Sequence, residues 1–160
     1  MDGLTIRAAR PSDGPELRRA VVELQDHERR LHPSRLPGEQ IADAYLAWIE
    51  KRAAERSGAV LVAEIDGAFA GFIAGWIEEE SHICETPESN RFGYVSDICV
   101  LSAYRGRRIA SRLLGAVERR LRDENVSCVK LFTLAANRAA RANYERSGYA
   151  VYEVVYEKSL

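Results

Sequence analysis

Apolar residues recur along this chain with two different periods, and the switch between them outlines the fold. Residues 4–8 alternate as a short strand, and Arg10, Pro11, Ser12 and Asp13 after it supply helix-capping candidates. Leu17, Ala20, Val21, Leu24 and Leu31 then fall at helical spacing, predicting a first helix of about 15 residues that ends before Pro33. Two prolines and a glycine make residues 32–38 a loop. Ile41, Tyr45, Trp48 and Ile49 mark a second amphipathic helix to about Arg56, with Gly58 past its end.

The period then shortens. Residues 60–65 and 69–77 are apolar runs joined by Asp66-Gly67, the strongest short hairpin signal. A polar loop fills residues 78–91, and residues 93–101 (GYVSDICVL) form another strand. Ile109, Leu113, Leu114, Val117 and Leu121 share one helical face, with Asn125 beyond its end. Residues 126–134 (VSCVKLFTL) read as a strand, Asn137 caps a short helix to about Ser147, and residues 149–156 close the chain as a strand. The order is β-α-α-β-β-β-α-β-α-β. It is a mixed, mostly antiparallel sheet with flanking helices, in which the crossover near residues 93–134 makes two strands parallel neighbours.

Length and composition narrow the class. A chain of 160 residues is expected to be one domain spanning 1–160, and 46% hydrophobic with 29% charged residues excludes a disordered or low-complexity protein. No apolar run approaches the ~18 residues of a membrane span, and MDGLTIRAARP lacks a signal peptide's apolar core. A soluble cytoplasmic protein with no membrane partner is expected. Cys84, Cys99 and Cys128 form no CxxC pair and read as free thiols in a reducing compartment. His27, His32 and His82 make no metal-ligand pattern, so no metal is expected.

Charge is segregated although the net charge is only −1. Residues 105–122 hold seven arginines against Glu118, whereas residues 78–88 hold five glutamates and no basic residue. Such a local basic stretch suits an anion site better than a nucleic-acid surface. It falls where an apolar strand ends and a short Arg/Gly turn opens into a helix. Unpaired N–H groups at a helix N-terminus, with the helix dipole behind them, attract phosphate or pyrophosphate. Gly106 lets the backbone approach closely, and Arg105, Arg107, Arg108 and Arg112 add positive charge that opposes the dipole unless an anion comes. The turn is neither a Walker A loop nor a GxGxxG loop.

The stretch YVSDICVLSAYRGRRIASRLL resembles the acetyl-CoA motif of the GCN5-related N-acetyltransferases, whose turn reads Gln/Arg-x-x-Gly-x-Gly/Ala. Arg105 and Ala110 match its ends, and Arg108 replaces its middle glycine. A second block, with Asn137, Ala140, Tyr144, Gly148 and Tyr149, is similar to the family's last helix, and IRAARPSDGPEL is similar to its opening strand and helix. The resemblance spans essentially the whole chain.

It implies an enzyme that transfers an acetyl group from acetyl-CoA directly to a primary amine of a small molecule or peptide. Backbone groups of Ile98, Cys99 and Val100 would pair with the pantetheine arm like an added strand, which requires the strand from Gly93 to splay from its parallel neighbour. N–H groups along Arg105, Gly106, Arg107, Arg108, Ile109, Ala110 and Ser111 would hold the pyrophosphate, and Asn137 the pantetheine side. Tyr144 would be the general acid for the departing thiolate, and the N–H of Cys99 or Val100 would meet the oxyanion. A homodimer through the last strand is common in similar proteins.

The general base stays open. By strict alternation the face of Tyr94, Ser96 and Ile98 carries no carboxylate and Asp97 points the other way. Ser96 relaying a proton through water, an acid from residues 78–80, and an amine arriving deprotonated are the alternatives. The acidic loop at residues 78–88 reads as a solvated loop, or as a lure for a polyamine, an aminoglycoside-like amine or a basic peptide. Two rival functions remain: a non-catalytic acyl-CoA-binding regulatory module, and a nucleic-acid-binding domain on the arginine stripe. Against the latter, Arg119, Arg120 and Arg122 lie further along the helix, on its solvated face.

Overall fold

The computed structural model describes residues 3–160. β1 (Leu4–Ala8) leads through a 3-10 turn (Pro11–Asp13) into α1 (Gly14–Leu31), which Pro33 follows closely, and α2 (Gly38–Glu55) packs beside it. β2 (Ala59–Ile65), β3 (Ala68–Glu79) and β4 (Arg91–Val100) form a meander. α3 (Ile109–Arg122), β5 (Val129–Leu131) and α4 (Arg138–Arg146) complete the regular elements. The sheet order is β1-β2-β3-β4-β5, antiparallel at every junction except the parallel β4–β5 pair. No helix among the described residues is long and apolar enough to cross a membrane.

Most local signals have a structural counterpart. Asp66 and Gly67 both have positive φ, 50° and 81°, as the tight turn of a two-residue hairpin requires. β3 is buried on both faces, which explains its unbroken apolar run. Phe72, Ala74 and Trp76 pack with Leu17, Val21, Leu46 and Ile49 of α1 and α2. Ile73 and Ile77 pack on the other side with Leu113, Leu114, Val117 and Leu121 of α3. Gly71 permits the β3–β4 approach, since a Cβ there would lie 2.3 Å from the Cys99 carbonyl oxygen.

Two features of β4 shape everything around it. Ala74 pairs with Asp97 while the next residue, Gly75, pairs with Val95, so Ser96 is an extra residue in the ladder, a β-bulge. Tyr94, Asp97 and Cys99 therefore share the face toward α1 and α2, while Val95, Ile98 and Val100 face α3. This corrects the expectation from alternation, which grouped Tyr94 with Ser96 and Ile98 and turned Asp97 away. The second feature is the splay: β5 pairs only with Gly93, Tyr94 and Val95, leaving β4 without a partner on that side from Ser96 onward.

The chain's end departs from expectation. β5 is confined to Val129–Leu131 within the predicted 126–134, and residues 150–160 join neither helix nor strand. A strand needs a neighbour's backbone ladder, and β1, the other open edge, lies at the far side of the sheet. Tyr152 instead lies over Lys130, 5.1 Å from the ammonium to its ring centre, and Glu157 meets His32 at 3.3 Å. Val151, Tyr152, Val154, Val155 and Tyr156 remain exposed.

Leu113 has no exposed surface in the layer between α3 and the sheet. Leu113→Ala is expected to lower the unfolding free energy by about 3 kcal/mol, read from denaturant titration, with the transition still cooperative.

Candidate active site

The splay opens a cleft of about 760 Å³ between β4, α1, the start of α3, and the segment carrying β5 and α4. One wall is the open edge of β4. Leu101 donates its N–H to the Ala70 carbonyl at 2.9 Å, and antiparallel pairing alternates, so Cys99 and Asp97 direct their backbone groups to β3. The backbone groups of Ile98 and Val100 consequently face the cleft. The Val100 carbonyl accepts from Arg105 Nε at 3.0 Å, which leaves its N–H. Cys99 is thus withdrawn from the role expected of it. Its thiol, on the α1/α2 face it shares with Asp97, is buried, and burial pushes its pKa up to about 12, making it a poor nucleophile.

The turn before α3 divides its arginines among different tasks. Arg105 reaches back to α1, with Nη2 2.8 Å from Glu23 Oε1. Arg107 lies over the Tyr104 ring at 5.8 Å. Arg108 borders the cleft and holds a left-handed conformation at φ 57°, where the motif's glycine would sit without strain. Arg112 makes the first intrahelical bond of α3, to the Arg108 carbonyl, so Ile109, Ala110 and Ser111 precede it with N–H groups free of the helix ladder. Gly106, at φ 78°, gives this turn its close approach. The Ser111 hydroxyl ties α3 to α4 through Asn143 Oδ1 at 3.0 Å.

On α4, Asn137 borders the cleft and caps the helix, accepting from the Ala140 N–H at 3.2 Å. Tyr144 faces the same cleft and packs edge-on against Tyr149. Burial pushes its phenol up to about 12, with the charges of Glu28 and Asp97 adding to the effect.

Asp97 is the residue that reading by alternation missed. It is 7% exposed and borders the cleft. Tyr45 Oη of α2 donates to its two carboxylate oxygens at 3.0 and 3.2 Å, and Ser96 Oγ donates to Oδ2 at 2.6 Å. Burial raises its pKa to about 6, while the two hydroxyl donors hold it back from rising further. Ser96 therefore supports a carboxylate. None of the acids at residues 78–80 borders the cleft: Glu78 is engaged by Arg56 and by Trp76 Nε1, Glu79 is paired with Arg91, and Glu80 is exposed. His27 and Glu28 border the cleft, whereas His32 is hydrogen-bonded to Ser34.

Known proteins share this fold. The model of the acetyltransferase (GNAT) family matches residues 21–149. An uncharacterized N-acetyltransferase, YycN, of Bacillus subtilis (strain 168) is 32% identical over 85 residues, which are 53% of this chain and 51% of that protein. The match thus spans about half the length of that curated relative. Among solved structures, aminoglycoside N-acetyltransferase AAC(6')-Iy in complex with CoA superposes with a TM-score of 0.71 at 21% identity, covering 98% of this chain and 94% of that one. A predicted acetyltransferase with acetyl-CoA from Clostridium acetobutylicum gives a TM-score of 0.74 at 17% identity, over 98% and 96% of the two chains. The fold is theirs, and the chain belongs to the acetyltransferase (GNAT) family.

Two variants test this geometry. Tyr45→Phe removes a donor that stabilises the ionised Asp97, so the carboxyl pKa should move further above about 6, followed by its carbon chemical shift against pH. Arg108→Gly relieves the left-handed strain and should raise the unfolding free energy by up to about 1 kcal/mol in denaturant titration.

Proposed function

We propose that this chain is an acetyl-CoA-dependent N-acetyltransferase that acts by direct transfer to the primary amine of a small molecule or peptide. The observation that carries the reading is convergence. A buried carboxylate on β4 and a phenol on α4 face one cleft, whose wall is an open strand edge running into the first turn of α3.

Ile98 and Val100 offer the edge on which a pantetheine arm adds as a strand does. Arg108 and the N–H groups from Gly106 to Ser111 offer the donors for a pyrophosphate. Asn137, already a helix cap, borders the same channel. Bound acetyl-CoA supplies a thioester, from which the acetyl group passes to nitrogen as the carbon–sulfur bond breaks. Asp97 takes a proton from the incoming ammonium and frees the nitrogen lone pair. Tyr144 gives its phenolic proton to the departing sulfur, then recovers one from the nitrogen that has gained the acetyl group. An open-edge N–H stabilises negative charge on the carbonyl oxygen. Cys99 takes no part, so the transfer has no covalent acyl-enzyme stage, and no step calls on a metal.

Other observations support the setting. Cys84, Cys99 and Cys128 are all free, two of them exposed, which supports a reducing, cytoplasmic location. The exposed apolar residues of segment 150–156, against Lys130 of β5, support a homodimer in which this segment finds a partner strand. Arg119, Arg120 and Arg122 occupy the last turn of α3, where they complement the helix dipole, so the arginine stripe needs no nucleic acid to explain it.

Calorimetric titration with acetyl-CoA is expected to show one site per chain at micromolar strength, and an absence of binding overturns the reading. With an accepted amine, Tyr144→Phe and Asp97→Asn should each lower kcat by about 100-fold while acetyl-CoA affinity holds. Because Asp97 works in its ionised form, kcat of the unaltered protein should fall about tenfold per pH unit below about 6 and level off above it.

A further inference from the structure

Two carboxylates, Glu28 and Asp97, border the cleft, and ion pairing there and close by decides how much charge an acceptor meets. Glu23 is paired with Arg105 and also accepts from the Ser102 N–H at 3.0 Å. Glu28 is paired with Arg35 at 2.8 Å. At the end of β3, Glu78 is paired with Arg56 and Glu79 with Arg91. Asp97 differs, because its partners are the neutral hydroxyls of Tyr45 and Ser96. Among the described residues bordering the cleft, it alone is a carboxylate without a cationic partner.

Beyond its hydroxyl donors, Asp97 has aromatic neighbours on its face of the sheet. Tyr94 shares that face, and Phe132, just past β5, lies with its ring centre 5.9 Å from that of Tyr94. Phe132 borders the cleft and is 68% exposed, leaving an aromatic face open to the cleft. Leu24 of α1 also borders the cleft. A second positive charge on an acceptor would find no further unpaired carboxylate along the cleft.

We propose that the acceptor is a primary monoamine with a flat apolar body, an arylalkylamine, whose ammonium is drawn to Asp97 while its ring packs on Phe132. Polyamines and aminoglycosides are disfavoured by the same charge balance. This inference rests on the acetyltransferase reading above and adds the substrate class to it.

The test measures CoA thiol release from acetyl-CoA with 2-phenylethylamine, tyramine, spermidine and kanamycin. The expected result is a kcat/KM for the two aryl amines at least tenfold above that for spermidine and kanamycin. Phe132→Ala should raise KM for 2-phenylethylamine about tenfold, with the loss falling on KM rather than kcat. Preferred turnover of spermidine or kanamycin overturns the substrate class while leaving acetyl transfer intact. So does calorimetric binding of acetyl-CoA with no acetylation of either aryl amine. Failure to bind acetyl-CoA at all overturns the underlying reading, and the substrate class with it.

Discussion

The single extra residue at Ser96 sets the arrangement of the cleft. A β-strand alternates its side chains strictly, and one inserted residue shifts that alternation for everything that follows. Here the shift brings Asp97 onto the face of Tyr94 and Tyr45, under α2. The regular ladder to β5 stops at Val95, so the bulge lies at the point where β4 loses its parallel neighbour. Beyond it β4 keeps one ladder, with β3, and its other side remains open toward the cleft. A carboxylate and an unpaired strand edge thus arise from the same few residues.

Holding Asp97 there has an electrostatic cost that the surroundings partly offset. Burial disfavours the ionised carboxyl, and two hydroxyl donors counter it without bringing in a full positive charge. An arginine in place of Tyr45 would pull the carboxyl far toward ionisation and leave it a weak base. The donor itself is fixed through a chain of aromatic contacts. Tyr45 stacks on Trp48, Trp48 meets the edge of Trp76, and Trp76 meets Tyr94 at 5.6 Å. The α2-to-sheet core therefore determines where the Tyr45 hydroxyl points, linking stability of that layer to the charge state within the cleft.

Arginine serves three separate purposes around the site. Arg105, Arg35, Arg56 and Arg91 neutralise glutamates, Arg107 packs on an aromatic ring, and Arg108 remains at the mouth of the cleft. The planar guanidinium suits each of these, which accounts for the heavy use of arginine over lysine better than a wholly basic surface would. The segregation of charge visible along the chain is thus offset in space at Glu78, Glu79 and Arg105.

The amino-acid sequence determined the sequence of elements up to the last helix, the Asp66-Gly67 hairpin, the amphipathic faces of α1, α2 and α3, and the strand–turn–helix around Arg105. These are local properties, written in spacings of two and about 3.6 residues and in the turn preferences of single residues. Tertiary structure decided the face of Asp97, the withdrawal of Cys99 to the β3 side, and the neutralisation of Glu28, Glu78 and Glu79. It also left residues 149–156, strand-like by pattern, without a partner. In each of these cases the deciding contact joins residues distant in the chain. Whether an extra residue bulges depends on which strand lies opposite, whether a carboxylate is free depends on an arginine from another element, and a strand exists only where a second edge meets it.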